Sequence, residues 1–160
     1  MQQPEYILVA FGTDAHPFER ALDVVGRLRP AHRLVVQHGH TPPRDWPDVT
    51  WHPFVPFETL RNLMRDASCV VCHAGVGTIM TALSFHRRPV VIARLSTRGE
   101  HVDDHQLQIV GTLAERGLIV PVDEEGDIDA AVEEAGRSPV EWQHEPALAR
   151  AVVAAVEGKR

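Results

Sequence analysis

An alternation constrains this chain more than any other feature. Short runs of almost wholly apolar residues, "YILVAF", "HRLVVQ", "VTWHPF", "CVVC", "PVVIA" and "GLIVPV", are separated by longer segments of helical period. "PFERALDVVGRL" places Phe18, Ala21, Leu22, Val25 and Leu28 on one face, and "FETLRNLMRDA" does the same with Leu60, Leu63 and Met64. Further helices are expected from Gly77 to Phe85, Asp104 to Glu115, Ile128 to Ala135 and Pro146 to Val156. Strands without a polar side must be covered on both faces, and strand-helix alternation makes them parallel through right-handed crossovers. The pattern predicts an α/β fold: a doubly wound, Rossmann-like parallel sheet of about six strands with helices on both faces.

The chain has 160 residues, 44% of them hydrophobic, which fits a single domain over residues 1–160 with a core of ordinary size. "HGHTPPRDWPDV" reads as a long surface loop and "EEAGRSPVEWQHEP" as a break before the last helix. A formal net charge of -6 without a basic cluster argues against nucleic acid as a partner. Cys69 and Cys72 have the spacing of a redox pair or half a metal site. On a strand, however, period two sends them to opposite faces, so both are expected as buried structural thiols. The N-terminus has no charged region followed by a long apolar core, and no apolar run is long enough for a membrane span, so a cytoplasmic location is expected.

Ligands of such sheets bind at the carboxyl ends of the strands, where helix N-termini offer unpaired N-H groups and partial positive charge. Three strand-to-helix turns should open on that rim: "FGTDAHPF", "HAGVGTIM" and "ARLSTRGEHVDDHQ". In the second, Gly75 and Gly77 permit positive φ or close approach, and Thr78 can cap the helix or bond to a ligand oxygen. Such a turn suits a phosphate, although it can also be a tight structural connection. A dinucleotide fingerprint would need a third glycine at Met80 and should follow the first strand, and there is no GxxxxGK[ST] P-loop. "HVDDH" invites a metal reading through His101, Asp103, Asp104 and His105, yet either aspartate also makes a good N-cap.

Taken together, "VAFGT" with "HPFER", "VVQHGH", "FVPFETLRNLMRDASCVVCHAGVGTIMTAL", "RPVVIAR" and "HVDDHQLQIVGTLAERGLI" resemble the C-terminal domain of glycosyltransferase family 28, the donor-binding half of GT-B transferases. The likeness is strongest to the small stand-alone donor-binding subunits of two-part transferases. These serve dolichol-linked oligosaccharide synthesis and bacterial exopolysaccharide synthesis. The resemblance implies a UDP-sugar donor, UDP-GlcNAc or a UDP-hexose, lying across the strand ends. By position, Gly12 and Thr13 would line the phosphate side, and the backbone at Phe54 and Val55 would meet the uracil edge. His73, Ala74, Gly75, Gly77 and Thr78 would hold the diphosphate, His105 and Gln106 would face the sugar or diphosphate, and Arg94 would add a charge partner. Many relatives carry a glutamate for the ribose hydroxyls where this chain has Thr81, which has fewer acceptor sites.

The resemblance further implies an inverting hexosyltransferase without an obligatory metal or other cofactor. A membrane-anchored partner subunit would supply the acceptor half, recruit the chain to the inner face of the membrane, and present a lipid-linked or glycan acceptor. The catalytic base is not identified. His16, in the first turn, is a candidate, against its reading as a loop histidine that stacks on Pro17 or caps a helix. The alternative function is a catalytically inactive nucleotide-sugar-binding or regulatory module, motivated by Thr81, and an unrelated flavodoxin-like interaction domain is a third reading.

Overall fold

The structure is a computed structural model that describes residues 5–141, 150, 153 and 154. Six parallel strands, β1 (Ile7–Ala10), β2 (Leu34–Gln37), β3 (Thr50–His52), β4 (Cys69–His73), β5 (Val90–Ile92) and β6 (Val120–Pro121), lie in the order β3-β2-β1-β4-β5-β6. Among the described residues, the α-helices that connect or follow the strands are α1 (Glu19–Gly26), α2 (Phe57–Asp66), α3 (Val76–Ser84), α4 (His105–Glu115) and α5 (Ile128–Arg137). Each falls on an expected segment. The expected helix from Pro146 to Val156 lies outside the described residues except at 150, 153 and 154.

Every residue of β1, β2, β4 and β5 is buried, because helices cover both sides of the sheet. Ile7, Val9, Leu34, Val36, Val71 and Ile92 pack with Leu22 and Val25 of α1 and Ile128 and Ala131 of α5. Leu8, Ala10, Val35, Val70 and Val91 pack with Met64 of α2, Ile79 and Leu83 of α3, and Ile109 and Leu113 of α4. Each such aliphatic side chain contributes about 1.5–3 kcal/mol when fully buried. A charge at Val71, in the central strand and fully buried, would therefore be expected to break the sheet. Cys69 belongs to the first cluster and Cys72 to the second, on opposite faces as the strand period requires. Burial pushes the Cys69 thiol up to about 11 and raises that of Cys72 as well, so neither is a ready thiolate.

The strand order reverses between β1 and β4. Their register pairs Ala10 with Cys72, so the turns after both strands leave the sheet side by side. An open α/β sheet forms its ligand crevice at such a point.

Candidate functional site

Helix α3 begins at Val76 with Gly75 at the N-cap position, which has no side chain to accept from the first amides. Thr78 lies three residues further on and does not cap; its hydroxyl instead sits 3.4 Å from His73 Nε2. The uncapped N-terminus therefore keeps backbone donors and partial positive charge for something outside the helix.

In front of it stands His73, at the end of β4 and only 9% exposed. Its ring is held between two glycines. A Cβ on Gly12 would lie 2.5 Å from Nε2, and one on Gly75 would lie 2.3 Å from Cε1. Gly12 also has a φ of 74°, the left-handed region that favours glycine. These two glycines thus make room for the imidazole, whereas a Cβ on Gly77 would meet nothing within 4 Å. Burial first, then the nearby Arg94 charge, hold the His73 imidazole down at about 4, so the ring is neutral near pH 7.

The turn after β1 is fixed by a residue the sequence reading passed over. Gln37, at the carboxyl end of β2, accepts from Gly12 N at 3.0 Å and donates to the carbonyls of Gly12 and Pro53, both at 3.0 Å. Its signal was a polar residue closing an apolar run, beside Ala10 in the register. One carboxamide thereby ties together three loops of the rim.

Between these turns lies a cleft of about 280 Å³ lined by Gly12, Thr13, Gln37, Phe54, Val55, Leu60, His73, Gly75, Gly77 and Thr78. Eight of the sequence-derived candidates meet there. Phe54 is 49% exposed at its edge, with the His40 ring 5.1 Å away in an edge-on contact. A larger apolar cleft of about 380 Å³, lined by Leu95, Leu107, Val110 and Val122, opens near the ends of β5 and β6. Its lining includes Arg20 of α1 and Leu107 of α4 but no glycine, whereas the smaller cleft joins two glycine turns to the uncapped N-terminus of α3, the arrangement that suits an anion.

Five candidates do not line the smaller cleft. Arg94 is 1% exposed: its guanidinium donates to the carbonyls of Phe11 at 3.0 Å, His16 at 2.8 Å and Glu100 at 3.0 Å, and lies over the Phe18 ring. It is placed as a clamp on the surrounding loops rather than as a direct partner of a bound anion, and its charge reaches the cleft only as a field. Ala74 is buried and its N-H is directed to Gln106 Oε1 at 3.3 Å. Gln106 itself is buried behind His73, while His105 stays on the rim with Nδ1 3.3 Å from Asp103. Thr81 donates its hydroxyl to the Gly77 carbonyl at 2.7 Å, within its own helix.

His16 is bonded through Nδ1 to Asp14 at 2.6 Å, and the other Asp14 oxygen meets His101 Nδ1 at 2.7 Å, linking the turns after β1 and β5. Burial raises the Asp14 carboxyl, but hydrogen bonds from His16 and His101 outweigh it and hold the group at about 2. In "HVDDH", Asp103 accepts from His105 N at 3.0 Å and Asp104 from Ser96 N at 3.1 Å. Among the described residues, no three His, Cys, Asp or Glu side chains converge as a metal site.

The fold is a Rossmann-like α/β domain with an open cleft at its switch point. The family model of the glycosyltransferase family 28 C-terminal domain matches residues 7–149, and the chain belongs to that family. Among solved structures, the crystal structure of the glycotransferase of kitacinnamycin is similar at 20% identity and a TM-score of 0.57, with 98% of this chain and 40% of that one covered. The crystal structure of the glycosyltransferase SnogD from Streptomyces nogalater is similar at 15% identity and a TM-score of 0.58, covering 96% of this chain and 39% of that one. The NMR solution structure of ALG13 is similar at 16% identity and a TM-score of 0.61, with 97% of this chain and 98% of that one covered. This chain thus spans about two fifths of the first two proteins and nearly all of the third. At these identities the likeness concerns the fold. No curated protein matches the chain.

Proposed function

We propose that this chain is the donor-binding subunit of a two-component inverting glycosyltransferase that takes a UDP-sugar, UDP-GlcNAc or a UDP-hexose, as donor. The observation that carries the reading is the uncapped N-terminus of α3 at the switch-point cleft, with the neutral His73 imidazole beside it. That pairing suits a diphosphate: helix amides and dipole balance its charge, and an N-H donor adds direction. Stabilising the leaving diphosphate is half of glycosyl transfer; the other half is deprotonation of the acceptor hydroxyl. A membrane-anchored partner would supply that half together with a lipid-linked or glycan acceptor, without an obligatory metal. Among the described residues no helix is long and apolar enough to cross a membrane.

A second reading, a nucleotide-sugar-binding module without catalysis, is favoured by one contact: the Thr81 hydroxyl is used on the Gly77 carbonyl, where a carboxylate could have met ribose hydroxyls. Calorimetry with UDP, UDP-GlcNAc and UDP-glucose, followed by transfer assays with the membrane-anchored transferase half from a neighbouring gene, separates the two. Binding with transfer supports the enzyme subunit, and binding without transfer supports the module. No binding of any of the three, with or without the partner, overturns both.

A further inference from the structure

One buried side chain joins the ends of β4 and β5 beneath the cleft. Gln106, the second residue of α4, is 6% exposed, and its Oε1 accepts from Arg94 N at 2.9 Å and Ala74 N at 3.3 Å. A carboxamide whose oxygen faces two backbone N-H groups has to turn its NH2 the other way. There Nε2 lies 3.4 Å from His73 Nδ1. An NH2 group only donates, so Nδ1 accepts, and the single proton of the neutral ring belongs on Nε2. Nε2 is also the atom on the cleft side: it lies 3.4 Å from Thr78 Oγ1 and is the ring atom nearest a Cβ placed on Gly12.

We propose that Gln106 is a positioning residue that locks His73 as the Nε2-H tautomer, so that the ring offers an uncharged hydrogen-bond donor to a phosphate oxygen of the bound nucleotide. The identity of that acceptor rests on the donor-site reading; the tautomer does not. Arg94, Asp14 and His101 are the charged or titratable groups acting on the ring, and Arg94 and His101 both oppose its protonation. Burial above all, with Arg94 and His101 added and Asp14 opposing, keeps the ring neutral, and the amide decides which nitrogen carries the proton. A phosphate oxygen only accepts, so the wrong tautomer would set lone pair against lone pair.

Nitrogen-detected imidazole NMR of the ligand-free protein reads this directly, together with UDP affinity by calorimetry at about pH 8 and about pH 5.5. In Gln106→Glu the carboxylate still accepts from Ala74 and Arg94 but now also accepts from Nδ1. The wild type should show the Nε2-H form at both pH values, and its UDP affinity, which carries the titration of the ligand's own terminal phosphate at about pH 6, is the reference for the variant at each pH. Gln106→Glu should move the proton to Nδ1, weaken UDP about tenfold or more at the higher pH, and regain part of that loss at the lower pH, where the ring becomes doubly protonated. An Nδ1-H ring in the wild type, or an unchanged tautomer in Gln106→Glu, overturns the proposal. An Nε2-H ring in a wild type that does not bind UDP overturns the donor-site reading and leaves the tautomer assignment standing.

Discussion

The ring of His73 rests directly on the backbone of Gly12: a Cβ there would lie 2.5 Å from Nε2, with the side chain of Gly75 equally excluded on the loop after β4. The two glycines of the rim therefore make room for the imidazole as well as lining the cleft.

Alanine at Gly75 should push the ring out of place, costing about 1–3 kcal/mol of stability as an overpacked site does, together with most of the nucleotide affinity. At Gly12 the left-handed backbone adds strain, so Gly12→Ala should be worse. Gly77→Ala is the contrast. With open space around it and a helical position, it should gain up to about 1 kcal/mol while narrowing the cleft. Urea denaturation and calorimetry on the three variants check the order.

Acid should expose the burial of His73. Its imidazole ionises at about 4 in the fold against an ordinary 6.5, so between those values the unfolded chain binds more protons and stability falls as pH drops. The full difference is on the order of 3 kcal/mol. Comparison of urea midpoints for the wild type and His73→Asn over that range isolates it from the other nine of the ten histidines. Parallel pH profiles would contradict the assignment.

Arg94 should behave as part of the frame. Arg94→Met strands three carbonyls, of Phe11, His16 and Glu100, and should cost about 3 kcal/mol. Arg94→Lys should rescue little, since one ammonium cannot reproduce the planar fork. Thermal melts check this; a variant that melts normally but binds UDP poorly would instead return Arg94 to the anion.

The sheet was legible because its strands are apolar on both sides, and the split of Cys69 and Cys72 between faces followed from period two alone. Helix α4 was expected to start at Asp104 and starts at His105, and α3 was expected at Gly77 and starts at Val76. Of the eight candidates that line the cleft, Gly75, Gly77 and Thr78 were marked by their own turn, whereas Gly12, Thr13, Phe54, Val55 and the role of His73 came only with the family resemblance. What a side chain does once buried was harder to read. Arg94, following an apolar strand on the ligand rim, looks like a charge for the anion, and only the inward-turned carbonyls of distant loops make it a clamp. Gln37 and Gln106 were obscure for the same reason: their backbone partners lie up to 32 residues away along the chain. A sequence pattern carries no record of such contacts.

The central claim is that the cleft between Gly12 and the N-terminus of α3 binds a nucleoside diphosphate. Gly75→Asp would confound it by striking His73, so Gly77→Asp is the informative change, placing a carboxylate in open space at the helix N-terminus. Calorimetric titration of UDP into both proteins tests the claim most directly. The account predicts saturable binding to the wild type and none to a folded Gly77→Asp; equal binding to both, or none to the wild type, would contradict it.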